Sequence, residues 1–230
     1  FLHSATMVKA GVILVGRLAP IFGDVGWWRP AVVGVGVVTM VVGGVGALRQ
    51  HDAKLLLAHG TVSQLGLLVV GFGVGHPDVT AAAVVMLVAH ALFKAALFLA
   101  VGIVDHATGK RDIRRLGGVG RDLPLVAGLT AVAAASMAGL PPLLGFVAKE
   151  ATLDALLTAD DPWATVAVGG VVAGSVLTVA YTARLWTGVF GAGPASDDRA
   201  EVRHPPGPTS VAPLAVLAGM TALGGLFAAP

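Results

Sequence analysis

Residues 79–104 form a run of 26 positions, bounded by Asp78 and Asp105, in which only His90 and Lys94 can ionise. As a helix this run spans about 39 Å at 1.5 Å per residue, more than the ~30 Å hydrocarbon core of a bilayer. A charged side chain deep in such a helix costs about 2.5–3.5 kcal/mol on insertion scales. A lysine kept there faces a polar pathway rather than lipid. Two further lysines, Lys9 and Lys149, sit in similarly apolar surroundings.

The rest of the chain agrees. Of its 230 residues 56% are hydrophobic and 12% charged, about half the charged share of soluble domains. The 32 glycines suit membrane helices, whose backbones approach closely at small residues. With no cysteine, disulfides and thiolate metal sites are excluded, and a net charge of +2 does not point to nucleic acid. Seven apolar segments read as spans, near 1–18, 30–48, 55–75, 79–104, 123–157, 163–187 and 211–229. The fifth is too long for one simple helix and contains Gly139, Leu140, Pro141 and Pro142. Two successive prolines remove two backbone donors and clash with the preceding turn. The expectation is an all-α polytopic membrane protein of about seven transmembrane helices, with one discontinuous helix around Gly139–Pro142. Residues 188–210 read as a polar, Pro- and Gly-rich linker, expected to be mobile. The ends of the chain, inside or beside apolar runs, read as those of a fragment.

Basic residues set the orientation. The loops after the second, fourth and sixth segments hold Arg49 and Lys54, then Lys110, Arg111, Arg114, Arg115 and Arg121, then Arg184, Arg199 and Arg203. The alternate loops hold only Arg17 and Arg29. The excess of Lys and Arg marks the cytoplasmic side, so 49–54, 105–122 and 188–210 are expected there.

His90 and Lys94, four residues apart, share one helix face. Lys94 could instead snorkel to the interface, but Asp105 lies about 16 Å away along the helix, beyond a lysine's reach. The functional alternative is a lysine that loads and releases protons, with His90 passing protons to it, since imidazole titrates near neutrality. A neutral His90 bonded to a backbone carbonyl is the structural alternative. Lys149 follows the double proline by seven residues and adjoins Glu150, with Asp154 one turn later. Beside a helix break it can meet water and free carbonyls, or it pairs locally with Glu150 or Asp154. Lys9 lies between His3 and Arg17; it is either a pathway residue or snorkels toward the nearby chain end. His59 with Thr61, Ser63 and Gln64 gives the third segment a polar stretch, for a water path or for helix–helix hydrogen bonds. Phosphate loops, nucleophile elbows and dinucleotide fingerprints are absent from the sequence, and no cofactor or metal is expected.

Four stretches carry a resemblance: HSATMVKAGVILVGRL at 3–18, LLLAHGTVSQLG at 55–66, HALFKAALFLAVGIVDHATGKRD at 90–112 and SMAGLPPLLGFVAKE at 136–150. In this order they closely resemble the A subunit of Mrp-type multisubunit Na+/H+ antiporters, itself similar to the antiporter-like subunits of respiratory complex I. The resemblance implies two inverted five-helix repeats, each with one discontinuous helix. Residues 1–18 are then the last helix of a truncated first repeat, 30–187 the second repeat, 188–210 a cytoplasmic linker and 211–229 an additional helix. It further implies that Lys9 links two half-pathways, that Lys94 with His90 is the centre of the second, and that Lys149 is the lysine of its broken helix. His3, His59, Ser63 and Glu150 are accessory candidates. Two positions depart from the family pattern: Met86 stands where some relatives carry a further histidine, and His59 where many carry tyrosine.

The function so implied is proton movement along this row, coupled to export of Na+, or K+ or Li+ in its place. The setting is a hetero-oligomer with other membrane subunits in the cell membrane. The alternative is a redox-driven, proton-pumping subunit of complex I or of a membrane-bound hydrogenase. A structural scaffold without transport is disfavoured by three lysines in apolar segments, and an enzyme by the lack of a nucleophile or metal constellation.

Overall fold

The computed structural model describes residues 7–192 and 200–228. Among them the regular structure is helical: a 3-10 turn at Met7–Lys9, then α1 (Ala10–Phe22), α2 (Trp28–Arg49), α3 (Ala53–Gly73) and α4 (Pro77–Thr108). Two single turns follow, α5 (Ile113–Leu116) and α6 (Val119–Asp122), and then α7 (Pro124–Ala138), α8 (Leu144–Thr158), α9 (Pro162–Phe190) and α10 (Pro208–Ala228). Five of these, α2, α3, α4, α9 and α10, are each long and apolar enough to cross a membrane. The expected fifth segment is indeed divided, into α7 and α8.

Local chemistry sets the boundaries. Asp52 caps α3 by accepting from the amides of Lys54 and Leu55 at 2.8 and 3.1 Å, and Asp161 caps α9 through the Trp163 amide. Such caps satisfy amides that have no partner within the helix. Pro77 and Pro162 open α4 and α9, where a missing N–H costs nothing. Gly109 ends α4 in the left-handed region, which glycine enters without a Cβ penalty.

The long α4 is the axis of the bundle and packs against α3, α7, α8 and α10. On its flank α2 and α3 lie almost backbone to backbone. A β-carbon on Gly66 would fall 2.6 Å from the amide nitrogen of Met40, and one on Gly36 would fall 3.0 Å from the Gly66 carbonyl oxygen. The outward faces of α2 (Val35, Val38, Val42) and α9 (Val172, Val176, Val179) are exposed valines, suited to lipid or to neighbouring membrane helices. The break between α7 and α8 is covered by α10. There a β-carbon on Gly225 would collide with the Pro142 carbonyl, and one on Gly224 would touch Leu144. Loosened backbone at membrane depth is tolerated where protein buries it, and α10 does this here.

The loops that end α2 and α4 are tied together on one side. Ala53 donates to the Arg111 carbonyl and Ile113 to the His51 carbonyl, each at 2.9 Å. Lys54 and Arg111 both reach Asp105, at 2.6 and 3.3 Å. On the opposite side Arg29 pairs with Asp161. The linker expected to be mobile is, over its described part, a strap. Ala200 donates to the Arg115 carbonyl, and Arg203 and His204 to that of Ala107, so main-chain hydrogen bonds hold it despite its composition. Part of 188–210 is helix rather than linker, since α9 runs to Phe190 and α10 starts at Pro208.

Candidate functional site

Lys94 is wholly buried on α4, as is His90 one turn before it. The Lys94 ammonium donates to the carbonyl of Leu57 on α3 at 3.2 Å. Snorkelling is therefore not what Lys94 does. An ammonium has three donors, and its hydrogen-bond partner here is a single carbonyl; no carboxylate among the described residues lies within ion-pair distance. His90 is more isolated. Neither ring nitrogen has a hydrogen-bond partner among the described protein atoms, and the ring stands edge-on to Phe93. The expected structural alternative, a carbonyl-satisfied histidine, is not what the fold provides.

Lys9 ends the 3-10 turn and stands at the N-cap of α1. Its side chain is nonetheless buried, and its ammonium donates to the carbonyl of Leu87 on α4 at 3.4 Å. Leu87 precedes His90 by three residues, so Lys9 lies over the turn next to the imidazole.

Lys149 lies on α8, which packs against α4. Its ammonium donates to the carbonyls of Met137 and Ala138 at 2.9 and 3.0 Å, the last carbonyls of α7. These lack amide partners because the helix stops there, and they carry the negative end of its dipole. Two constraints make Gly139 a glycine. Its φ is +88°, and a β-carbon would press 3.0 Å from Cδ of Lys149. Ser136 completes the junction by accepting from the Gly145 amide at 3.0 Å. The alternative, local pairing of Lys149 with Glu150 or Asp154, does not form; both residues are exposed on α8.

The accessory candidates separate. His59 bonds the Leu55 carbonyl of its own helix at 3.0 Å and packs on Gly46 of α2, away from Lys94. The Ser63 hydroxyl donates to the Met40 carbonyl of α2 at 2.8 Å. Glu150 is exposed, and His3 lies outside the described residues. Reading by sequence missed a hydroxyl cluster beside Lys94. Gln64 on α3 donates to Thr178 on α9 at 2.9 Å and to the Tyr181 phenol at 3.4 Å, and the Tyr181 ring faces Lys94. The signal was present: Thr178, Tyr181 and Thr182 fall on one face of an otherwise apolar helix.

The chain is similar to known membrane proteins over most of its length. The family model described as "NADH:quinone oxidoreductase/Mrp antiporter, TM" matches residues 1–178. The A subunit of the Na(+)/H(+) antiporter of Alkalihalophilus pseudofirmus is 45% identical over 175 residues, covering 70% of this chain and 22% of that protein. The structure of the Mrp complex from a Dietzia species superposes with a TM-score of 0.85 at 39% identity, over 98% of this chain and 24% of the matched one. A membrane-bound sulfane sulfur reductase, an archaeal respiratory membrane complex, superposes with a TM-score of 0.83 at 26% identity, over 97% of this chain and 45% of the matched one. The chain spans about a fifth of the length of the curated relatives it matches.

Proposed function

This chain belongs to the NADH:quinone oxidoreductase/Mrp antiporter membrane family, and from that premise we propose that it is part of the A subunit of an Mrp-type cation/proton antiporter. In this reading protons move along Lys9, His90, Lys94 and Lys149, coupled in the assembled complex to export of Na+, or K+ or Li+ in its place. Residues 1–18 end a first repeat, and 30–187, with α7 and α8 as its discontinuous helix, are a second. The stretch between α9 and α10 is a cytoplasmic linker, and α10 is an additional helix. Other membrane subunits complete the complex in the cell membrane, with loops 49–54 and 105–122 also facing the cytoplasm.

One observation carries the reading. The Lys94 ammonium is fully buried against a single carbonyl, with no carboxylate paired to it among the described residues, in a bundle that could hold an apolar residue more cheaply. Such a group is retained for what its proton does. His90, whose ring nitrogens have no partner among the described residues, lies one turn before Lys94 on the same helix as its partner in proton exchange, and in this reading Lys9 and Lys149 extend the row.

The test is cation-dependent proton movement in inverted membrane vesicles carrying the full complex. Lys94→Ala abolishes it while the complex still assembles; unchanged exchange at normal complex abundance overturns the central role. The likeness to a respiratory membrane complex favours one second reading, a redox-driven proton pump. In that case proton movement in the same vesicles requires an electron donor and ignores an imposed Na+ gradient.

A further inference from the structure

Tyr181 is the one tyrosine in the chain, and it is entirely buried. Its ring faces Lys94, with Nζ 6.0 Å from the ring centroid. Gly60 on α3 makes room for the meeting. A β-carbon there would lie 2.9 Å from Cε2 of Tyr181 and 3.2 Å from Nζ of Lys94, so a larger residue would wedge ring and ammonium apart. The phenol is tethered at its far end. Its proton has the Gly60 carbonyl and the Thr178 hydroxyl as acceptors, at 3.4 and 3.3 Å, and its oxygen accepts from Gln64. The tether orients the ring, and the ring face is what Lys94 meets.

A buried ammonium bonded to one carbonyl leaves donors without partners. The negative face of an aromatic ring within about 6 Å attracts a cation, more strongly where water is excluded. We infer that Tyr181 is the positioning residue of Lys94, its ring face holding the ammonium against the Leu57 carbonyl during proton exchange. This rests on the reading of Lys94 as a proton carrier. It does not depend on any surface of the chain, because ring, ammonium and tether are all interior.

The experiment replaces Tyr181 in the full antiporter complex with phenylalanine and then with its mono-, di- and trifluorinated forms, and measures cation-driven proton movement in vesicles. Fluorine withdraws charge from the ring face with little change of shape. Tyr181→Phe loses the tether but keeps the ring face in the slot that Gly60 leaves beside Lys94, and with it most of the transport. Along the fluorinated series the maximal rate falls step by step, on the order of tenfold in all. The half-saturating cation concentration and the abundance of the complex stay constant. A flat series beside an inactive Lys94→Ala overturns the inference while leaving the proton row intact. Tyr181→Leu transport at the native rate overturns it as well. If Lys94→Ala itself transports normally, the underlying reading fails and this inference with it.

Discussion

Lys149 and Met137 meet across the helix break, the ammonium donating to the last-turn carbonyl at 2.9 Å. The contact is built from both sides. Gly139 keeps clear the space through which the lysine stem passes, and the end of α7 offers carbonyls with no amide to accept from. The lysine thus has a structural use beside the chemical one proposed for it. Lys149→Ala strands two carbonyls and is expected to cost about 1–3 kcal/mol of stability, read as a lower melting temperature of the purified complex. It also impairs transport more than Lys110→Ala, a change in a connecting loop. Equal transport effects of the two would mean that depth in the bundle is not what matters.

For His90 stability and function are expected to part company. Buried polar groups are normally paired, and this imidazole has no partner on either nitrogen among the described residues. His90→Leu therefore removes no protein hydrogen bond and keeps a similar volume. The expected outcome is a melting temperature equal to or above that of the parent, with proton movement reduced at least tenfold. A strongly lowered melting temperature would show instead that His90 is held for packing.

How far these arrangements can be read from sequence depends on which partners are local. Lys94 is legible because the distances to Asp78 and Asp105 are fixed by helix rise alone, and no interface lies within reach. The break is legible because Gly139 and the two prolines act on their own backbone. Partners remote in sequence are not legible. Leu87 is 78 residues from Lys9, and Tyr181 meets Gly60 across 121. Both contacts use a backbone carbonyl, which every residue carries and no motif marks. The same reason hides the strap at Ala200–His204, held through main-chain amides in a stretch whose composition suggests a free loop. Lys149 is an intermediate case: free carbonyls near the break are foreseeable, but that they outcompete Glu150 and Asp154 is a matter of side-chain direction.

The α2–α3 contact predicts a contrast between two glycines. Gly66→Ala drives a methyl group toward the Met40 amide at 2.6 Å, and backbone cannot yield as a flexible side chain can. Overpacking of this kind costs about 1–3 kcal/mol and also disturbs the adjacent Ser63–Met40 bond. Gly34→Ala on α2 meets open space and gains up to about 1 kcal/mol of helix propensity. Melting temperatures of the two purified variants are expected to fall on opposite sides of the parent. If both are neutral, α2 and α3 are not as close as their backbones indicate.

At the loop junction the pH dependence has a definite sign. Asp112 accepts from Nε and Nη2 of Arg114 at 3.0 and 2.6 Å and caps the following turn through the Arg114 amide. The side-chain hydrogen bond from Arg114, followed by the amide bond and the guanidinium charge, outweighs partial burial and lowers the carboxyl from 3.8 to about 2. A depressed carboxyl contributes stability that is fully present above the unfolded value and is lost as pH falls through the folded one. The melting-temperature difference between the parent and Asp112→Ala is therefore constant from about pH 5 upward, narrows below about pH 4 and closes near pH 2. A difference that persists unchanged at the acid end would show that the contact acts by shape rather than charge. Because Asp112 stays ionised throughout the neutral range, the junction of 49–54 with 105–122 holds constant over the pH range in which the proposed proton row would work. A bell-shaped pH profile of transport should accordingly survive Asp112→Ala with its midpoints unmoved.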